Sequence, residues 1–370
     1  MIIMAPMTLS IVVPVYNAAT TLAACLTALE TQLRPGIEVI VVDDGSTDAS
    51  AEVAERFAVR LLRERHRGDA VARNRGAKEA RGKILLFLDA DVVIPPGTLD
   101  RIVSAFQNPT LCALVGAYRP DTPARGTAAR YKNFLHHHTH LNAPRNFPSF
   151  WTGLGAIRRE VFERLGGFDP RFAPISDVHL GVRLTRAGGK IRLDPTVQVT
   201  HLKPLTWWGL LWMDYRDRAV PWTRIMLHER TWIRGLNTGL SQVGSLLSVW
   251  LLPGALWMGW RNEAPISPLL PLLFLSLFFL GNWRFLCAFH RRYGPLQTAL
   301  AAILHAGSFL AQGIGLAHGT IAFLHDHLRR RSRAEDLRDK RNPDRRRGCR
   351  DAGRADSPRP SSPSRSNDPC

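Results

Sequence analysis

The sequence predicts an α/β domain built on a mostly parallel sheet, followed by helices apolar enough to cross a bilayer. Three observations predict it. Residues 8–201 alternate apolar, β-branched runs with helical patterns, as parallel sheets covered on both faces require. The strand candidates are almost continuously apolar, which fits burial on both sides. Beyond residue 239, long apolar stretches replace the alternation.

Taken in order, strands are predicted over residues 10–15, 37–42, 59–62 and 84–88. Helices are predicted over 20–31, 48–57, 71–80 and 99–106. Further on, a helix over 178–187 stops at Gly188-Gly189, a C-cap signal. Two short strands then follow, over 190–193 and 197–200, and end at His201.

The strand ends carry the chemistry. The first runs into Pro14-Val15-Tyr16-Asn17, the second into Asp43-Asp44-Gly45-Ser46-Thr47-Asp48 and the fourth into Asp89-Ala90-Asp91. In open α/β sheets, ligands bind outside the carboxyl ends of the strands, so three polar or acidic clusters point to one crevice. Asp89 and Asp91 would face opposite ways within a strand, but a turn brings both to one ion. Carboxylate oxygens suit Mg²⁺ or Mn²⁺, which are usually shared with substrate phosphates. Asp43 and Asp44 are expected to accept hydrogen bonds from a nucleoside, with Asp48 capping the next helix. Arg73, at the start of a helix opened by Gly68-Asp69, is expected to meet an anionic group. No G-x-G-x-x-G follows the first strand, which disfavours a dinucleotide-dependent dehydrogenase.

At this point the sequence resembles family 2 glycosyltransferases. Val13-Pro14-Val15-Tyr16-Asn17, Asp43-Asp44-Gly45-Ser46-Thr47-Asp48, Ala72-Arg73-Asn74-Arg75-Gly76 and Phe87-Leu88-Asp89-Ala90-Asp91 carry the likeness in order and spacing. The resemblance spans residues 8–201. It implies the GT-A fold, a nucleotide-diphosphate sugar donor (UDP being the commonest) and inversion at the anomeric carbon. Pro14, Tyr16, Asn17, Asp43, Asp44, Arg73 and Asp89 are the expected donor-site residues. Asp89, Asp91 and His201 are the expected metal ligands, with a packed loop residue as the alternative for His201. Gly153-Leu154-Gly155-Ala156-Ile157-Arg158-Arg159 and Leu165-Gly166-Gly167-Phe168-Asp169 are similar to the family's acceptor-side loop and helix. Where the family usually has Glu-Asp, this chain has Ser176-Asp177. The resemblance gives Asp177 the role of base. A single inverting displacement needs one, because the acceptor hydroxyl must lose its proton. Helix capping is the structural alternative for Asp177.

The remainder reads as membrane attachment. Residues 202–238 hold five of the ten tryptophans, Trp207, Trp208, Trp212, Trp222 and Trp232, interleaved with arginines that include Arg216, Arg218, Arg224, Arg230 and Arg234. That mixture beside apolar spans suits a bilayer interface and a lipid-linked or otherwise membrane-associated acceptor. Residues 239–325 form the expected transmembrane region. Stretches 239–260 and 266–283 are read as spans, and 296–323 as an embedded segment whose Gly315-x-x-x-Gly319 spacing suits close helix packing. His136, His137, His138 and His140 lack a zinc-ligand pattern and are expected on a polar surface or interfacial segment. Residues 329–370 carry 14 Arg/Lys against 7 Asp/Glu without apolar periodicity, and are expected to be a disordered basic tail.

Five scattered cysteines and the absence of a signal-peptide pattern in residues 1–10 fit a catalytic domain on the cytoplasmic side of a multi-pass inner-membrane protein. No specific nucleic-acid partner is expected, and oligomeric state is left open. The alternative is a degenerate nucleotide-sugar-binding regulator on the same fold.

Overall fold

A computed structural model describes residues 8–145, 147, 149–231, 239–261 and 267–341. The expected Trp232 and Arg234, the proline Pro265 and residues 342–370 of the tail lie outside these described residues. The chain divides into two compact units, Met1–Thr320 and Ile321–Cys370.

The first unit opens with β1 (Leu9–Val15), α1 (Ala19–Glu30), β2 (Ile37–Asp43), α2 (Ser50–Ala54), β3 (Arg60–Arg63), α3 (Asp69–Glu79) and β4 (Ile84–Phe87). A short β5 (Val92–Val93), α4 (Thr98–Ala105), β6 (Ala113–Tyr118), α5 (Thr127–Asn142), β7 (Gly155–Arg158), α6 (Arg159–Arg164), α7 (Ser176–Arg186) and β8 (Ile191–His201) complete the α/β part. The eight strands run in the order β3-β2-β1-β4-β7-β6-β8-β5. The first four are parallel neighbours, as expected from their sequence. Alternate residues of β1 serve two cores: Ile11 and Val13 face one helical layer, Val12 the other.

Three details depart from the sequence reading. β7 runs antiparallel to β4 and β6, with Gly155 opposite Phe87 and Val115. The two short strands expected before His201 are one strand, β8, with an irregular register opposite Val115 and Ala117 of β6. The histidines expected on a polar surface lie on α5, where His137 and His140 are buried against the sheet and its loops. The His137 ring bonds the Tyr118 carbonyl at 2.7 Å, whereas His140 Nδ1 is buried without a hydrogen-bond partner.

After β8 come α8 (Trp207–Trp212), a π-helical stretch (Met213–Ala219) and α9 (Val220–His228), continuous with one another. Then follow α10 (Leu240–Arg261) and α11 (Leu270–Arg341). By length and composition, Leu240–Arg261 and Leu270–Arg329 could each cross a membrane. Within α11 the backbone breaks at Gly294, whose φ of 79° is followed by Pro295. Glycine tolerates the left-handed turn, and proline cannot supply the helical N–H. The helix folds back on itself there: Asn282 bonds His305 at 2.8 Å, and the rings of Phe278 and Phe309 pack edge to face. Asn282 also donates to Ser245 of α10.

The turn of α11 rests on the α/β part, where Phe285, Leu286 and Phe289 join Tyr131 and Phe134 of α5 in one apolar cluster. The returning arm finds the close helix packing that its glycine spacing predicts. A side chain at Gly315 would collide with Ala219, and one at Gly319 with the Val220 carbonyl. In the second unit α11 continues to Arg341, so the expected disorder from residue 329 does not begin there. Residues 329–341 hold six arginines and a lysine and contain no Gly or Pro, which favours helix.

Candidate active site

The site is assembled where β1, β2 and β4 end. Asn17 braces two of these turns: its N–H donates to Ser46 Oγ at 3.0 Å, and its Oδ1 accepts from the Thr47 N–H at 2.8 Å. Tyr16 stands half-exposed above them and stacks on His66, with ring centroids 3.9 Å apart and planes 22° from parallel. The paired acids after β2 are turned differently from the sequence expectation. Asp43 is buried, accepts the Ser46 N–H at 3.1 Å and does not line the cavity. Asp44 lines it, but accepts the N–H groups of Arg67 and Gly68 at 2.9 and 2.8 Å. Both carboxylates therefore shape the loops around the site. Asp48, expected as the cap of α2, stands one residue before the cap, Ala49, and accepts from the Ser50 and Ala19 N–H groups.

Arg73 rises from the first turns of α3 and is 5% exposed. It donates to Asp89 at 2.8 Å and pairs with Asp69 one helical turn back. The guanidinium that was expected to meet an anion is thus already engaged by two carboxylates. Asp69 was legible as its i−4 partner by helical spacing. His66 and Thr152 were not, because only the tertiary fold brings their loops to the site.

Asp89 and Asp91 flank the turn from β4 into β5, and β5 pairs with the end of β8 so that Val92 lies opposite His201. His201 Nε2 is 3.5 Å from Asp91 Oδ2, and the His201 ring stacks on Tyr118. Burial and the neighbouring Asp91 raise the Asp89 carboxyl, with Arg73 opposing the rise. Burial also works against ionisation of Asp91, but the His201 hydrogen bond and charge, with Lys203, outweigh it and hold that carboxyl low. Two close acids thus divide, one pushed up and one down.

Asp177 lies in the first turn of α7, not at its cap, which is Ile175. Its Oδ2 accepts from the Thr152 N–H at 3.2 Å and the Thr152 hydroxyl at 3.3 Å, and its Oδ1 from the Val178 N–H at 2.8 Å. Desolvation raises its carboxyl to about 6, even though Arg73 and the backbone donors pull the other way. The helix is held close to the loop before β7, since a side chain at Gly181 would strike the Phe150 backbone.

One cavity of about 1290 Å³ joins these groups. Pro14, Tyr16, Asn17, Arg73, Asp89, Asp91, Asp177 and His201 all line it, and it continues to residues of the π-helical stretch, α10 and α11.

Residues 10–166 match the family described as Glycosyl transferase family 2. The N-terminal α/β domain belongs to that family. Among curated relatives, the chain is 32% identical over 188 residues to glycosyltransferase AglE of Haloferax volcanii, covering 48% of this chain and 62% of AglE. It is 30% identical over 203 residues to the pre-mycofactocin glycosyltransferase of Mycobacterium tuberculosis, covering 52% of this chain and 42% of that protein. The chain thus spans less than two thirds of the length of these relatives. Among solved structures, the mannosyltransferase PcManGT of Pyrobaculum calidifontis, in complex with GDP-Man and Mn²⁺, superposes with a TM-score of 0.52. The identity is 22%, over 86% of this chain and 87% of that one. The fold is GT-A.

The family 2 domain has a donor set that fits a divalent cation. Asp91 and His201 meet 3.5 Å apart at this strand end, and Asp89 lines the same cavity, so carboxylate oxygens suited to Mg²⁺ or Mn²⁺ are at hand. Among the described residues no group of three His, Cys, Asp or Glu side chains is placed to hold a metal ion by itself. A cation there would draw its remaining ligands from a bound diphosphate.

Arg73 makes a stability prediction. Arg73→Met leaves Asp69 and Asp89 facing each other without their cation, which should cost about 3–5 kcal/mol. Thermal unfolding should show a lower midpoint, partly restored by adding Asp69→Asn.

Proposed function

We propose that the chain is an inverting glycosyltransferase that moves a sugar from a nucleotide-diphosphate donor to a membrane-associated, lipid-linked acceptor. The observation that carries this reading is a single cavity lined by a Tyr16/His66 ring stack, the Asp89/Asp91/His201 strand end and the Asp177 carboxyl. In this reading the nucleobase rests on the exposed Tyr16 ring, and UDP is the expected nucleotide. Asp89, Asp91 and His201 hold Mg²⁺ or Mn²⁺. The bound ion would neutralise charge gathering on the departing diphosphate.

The chain's own residues do the rest. Arg73 favours the ionised form of Asp89 despite burial. The Thr152 N–H and hydroxyl aim one Asp177 oxygen and leave part of the carboxylate open to the cavity. The acceptor oxygen attacks the anomeric carbon, its proton passes to Asp177, and the bond from that carbon to the diphosphate breaks. A carboxyl raised to about 6 is well matched to a base working near neutral pH.

Two apolar helices and the exposed Trp207, Trp208 and Trp212 of α8 support placement at a bilayer. We place the α/β part on the cytoplasmic side of a multi-pass inner-membrane protein.

The deciding experiment is a donor screen with purified full-length protein and membrane lipids, read by mass spectrometry of the product. A sugar-bearing lipid is expected, and no product with any nucleotide-sugar would overturn the reading. Asp177→Asn should lower transfer by about 10²–10⁴-fold while donor binding persists. The wild-type rate should rise with pH through about 6, because only ionised Asp177 accepts the proton. Chelation with EDTA should stop release of nucleoside diphosphate, and Mn²⁺ or Mg²⁺ should restore it. Replacing Trp207, Trp208 and Trp212 with Ser should weaken use of a lipid acceptor more than donor hydrolysis. Equal loss of both would remove the interfacial role.

A further inference from the structure

The strand-end part of the cavity holds more acid than free cation. Asp44, Asp89, Asp91 and Asp177 line it, and the buried guanidinium beside them, Arg73, is already paired with Asp69 and Asp89. His66 is paired with Asp44. Lys132 is paired with Asp214, and Arg218 is shared between that carboxylate and the His136 ring. A nucleoside diphosphate brings further negative charge, of which one divalent cation shared with Asp89 and Asp91 balances only a part. The excess peaks as the sugar departs, because the terminal phosphate then keeps the electron pair of the broken bond.

Lys203 is placed to meet that charge. It stands two residues beyond His201, the last residue of β8. The segment is pinned to the acidic turn: Val92 and Val93 of β5 pair with His201 and Thr200, and the Leu202 N–H donates to the Asp91 carbonyl at 2.8 Å. Pro204 follows, which disfavours a helical backbone at Lys203. Lys203 is exposed and lines the cavity, and among the described residues its ammonium has no ion pair or hydrogen bond. Its charge is nonetheless felt at Asp91, where it favours the ionised carboxylate. An uncommitted cation on a flexible stem is thus within electrostatic reach of a proposed metal ligand.

We infer that Lys203 is a further catalytic residue, a cation that donates to the terminal phosphate of the donor as the sugar leaves. This role rests on the proposed transfer reaction and deepens it. As the acceptor oxygen bonds to the anomeric carbon, the bond from that carbon to the phosphate oxygen breaks, and its electron pair stays on that oxygen. The Lys203 ammonium donates a charge-assisted hydrogen bond to the phosphate and keeps its proton. A cation aimed where charge develops stabilises the transition state more than the bound donor, which raises the rate. Lysine suits a phosphate that moves, because it binds as a compact point charge on a flexible stem.

The test is a calorimetric titration of the full chain in detergent with Mn²⁺ present, repeated at higher Mn²⁺. The probes are UDP, GDP and dTDP, each beside its own monophosphate. The wild type should bind one diphosphate more tightly than its monophosphate. Lys203→Met should weaken that diphosphate about tenfold and leave the monophosphate within about twofold. Lys203→Arg should restore most of the loss, which a merely structural role would not do. Because Lys203 is exposed, these variants should unfold at the wild-type midpoint, and Lys203→Gln gives a second variant with the same expected loss. At saturating donor, Lys203→Met should release nucleoside diphosphate about 10²-fold more slowly. Unchanged diphosphate affinity in Lys203→Met and Lys203→Gln would overturn the role, as would an unchanged release rate. An equal loss for the monophosphate would also overturn it, as would a loss that vanishes at higher Mn²⁺, which would mean that Lys203 acts only through Asp91 and the ion. A wild type that binds none of the diphosphates would instead bring down the donor reading itself, and Lys203 with it.

Discussion

The architecture depends on the ion pairs of Arg73. Two strands of a parallel sheet, β2 and β4, deliver acidic ends to one crevice, and like charges brought close together repel strongly where water is scarce. Arg73, buried at 5% exposure, sits between Asp69 and Asp89 and makes that convergence tolerable before any ligand arrives. The same cation reaches electrostatically to Asp177, where it opposes the rise caused by desolvation. One guanidinium therefore braces the acidic turn and also tempers the rise that desolvation causes at the carboxyl across the cavity.

From that centre the cavity is graded. Its walls include Asp44, Asp89, Asp91 and Asp177 near the strand ends and Val243, Leu246, Phe309 and Leu316 on α10 and α11. The helices that follow the sheet help build this gradient. The turn of α11 packs on α5, its returning arm packs on the π-helical stretch, and both contribute walls to the cavity. The base-bearing helix is tied into the same set. His179 and Arg186 of α7 both bind Glu229, which directly follows α9, and Phe172, Val178 and Val182 pack on Ile225 of α9. Asp177 is thus positioned from the sheet side by Thr152 and from the helical side through α9.

What was legible in the sequence was what depends on local pattern. The first four strands, the acidic turns after them, Asp177 near a helix start and the apolar spans all follow from runs, spacings and breakers within a few residues of one another. The antiparallel direction of β7 was not legible, because it depends on pairing with β4 and β6, which are distant in sequence. The burial of His137 and His140 was hidden for a similar reason: a histidine-rich run reads as polar until the fold supplies carbonyl partners and aromatic neighbours. The inward turn of Asp43 and Asp44 depends on backbone N–H groups from their own turn and from the loop before α3. Residue type alone could not separate those partners from a ligand. His66 has no signal of its own, and only the loop ending at Gly68 carries it to Tyr16.

The π-helical stretch from Met213 to Ala219 has a consequence for how this chain can vary. A π-bulge amounts to one residue more than an α-helix of the same rise needs. Here the bulge includes both Asp214, which points inward to Lys132 and Ser308, and Arg218, which faces the cavity. Deleting one residue would restore an ordinary helix and rotate everything after it by about 100°. Trp222 would leave the cavity wall, and Glu229 would leave His179. Point substitutions along α9 can be absorbed one at a time, whereas a single-codon loss within this stretch shifts a whole helical face at once. Length, more than composition, is therefore the inherited property that this segment must preserve.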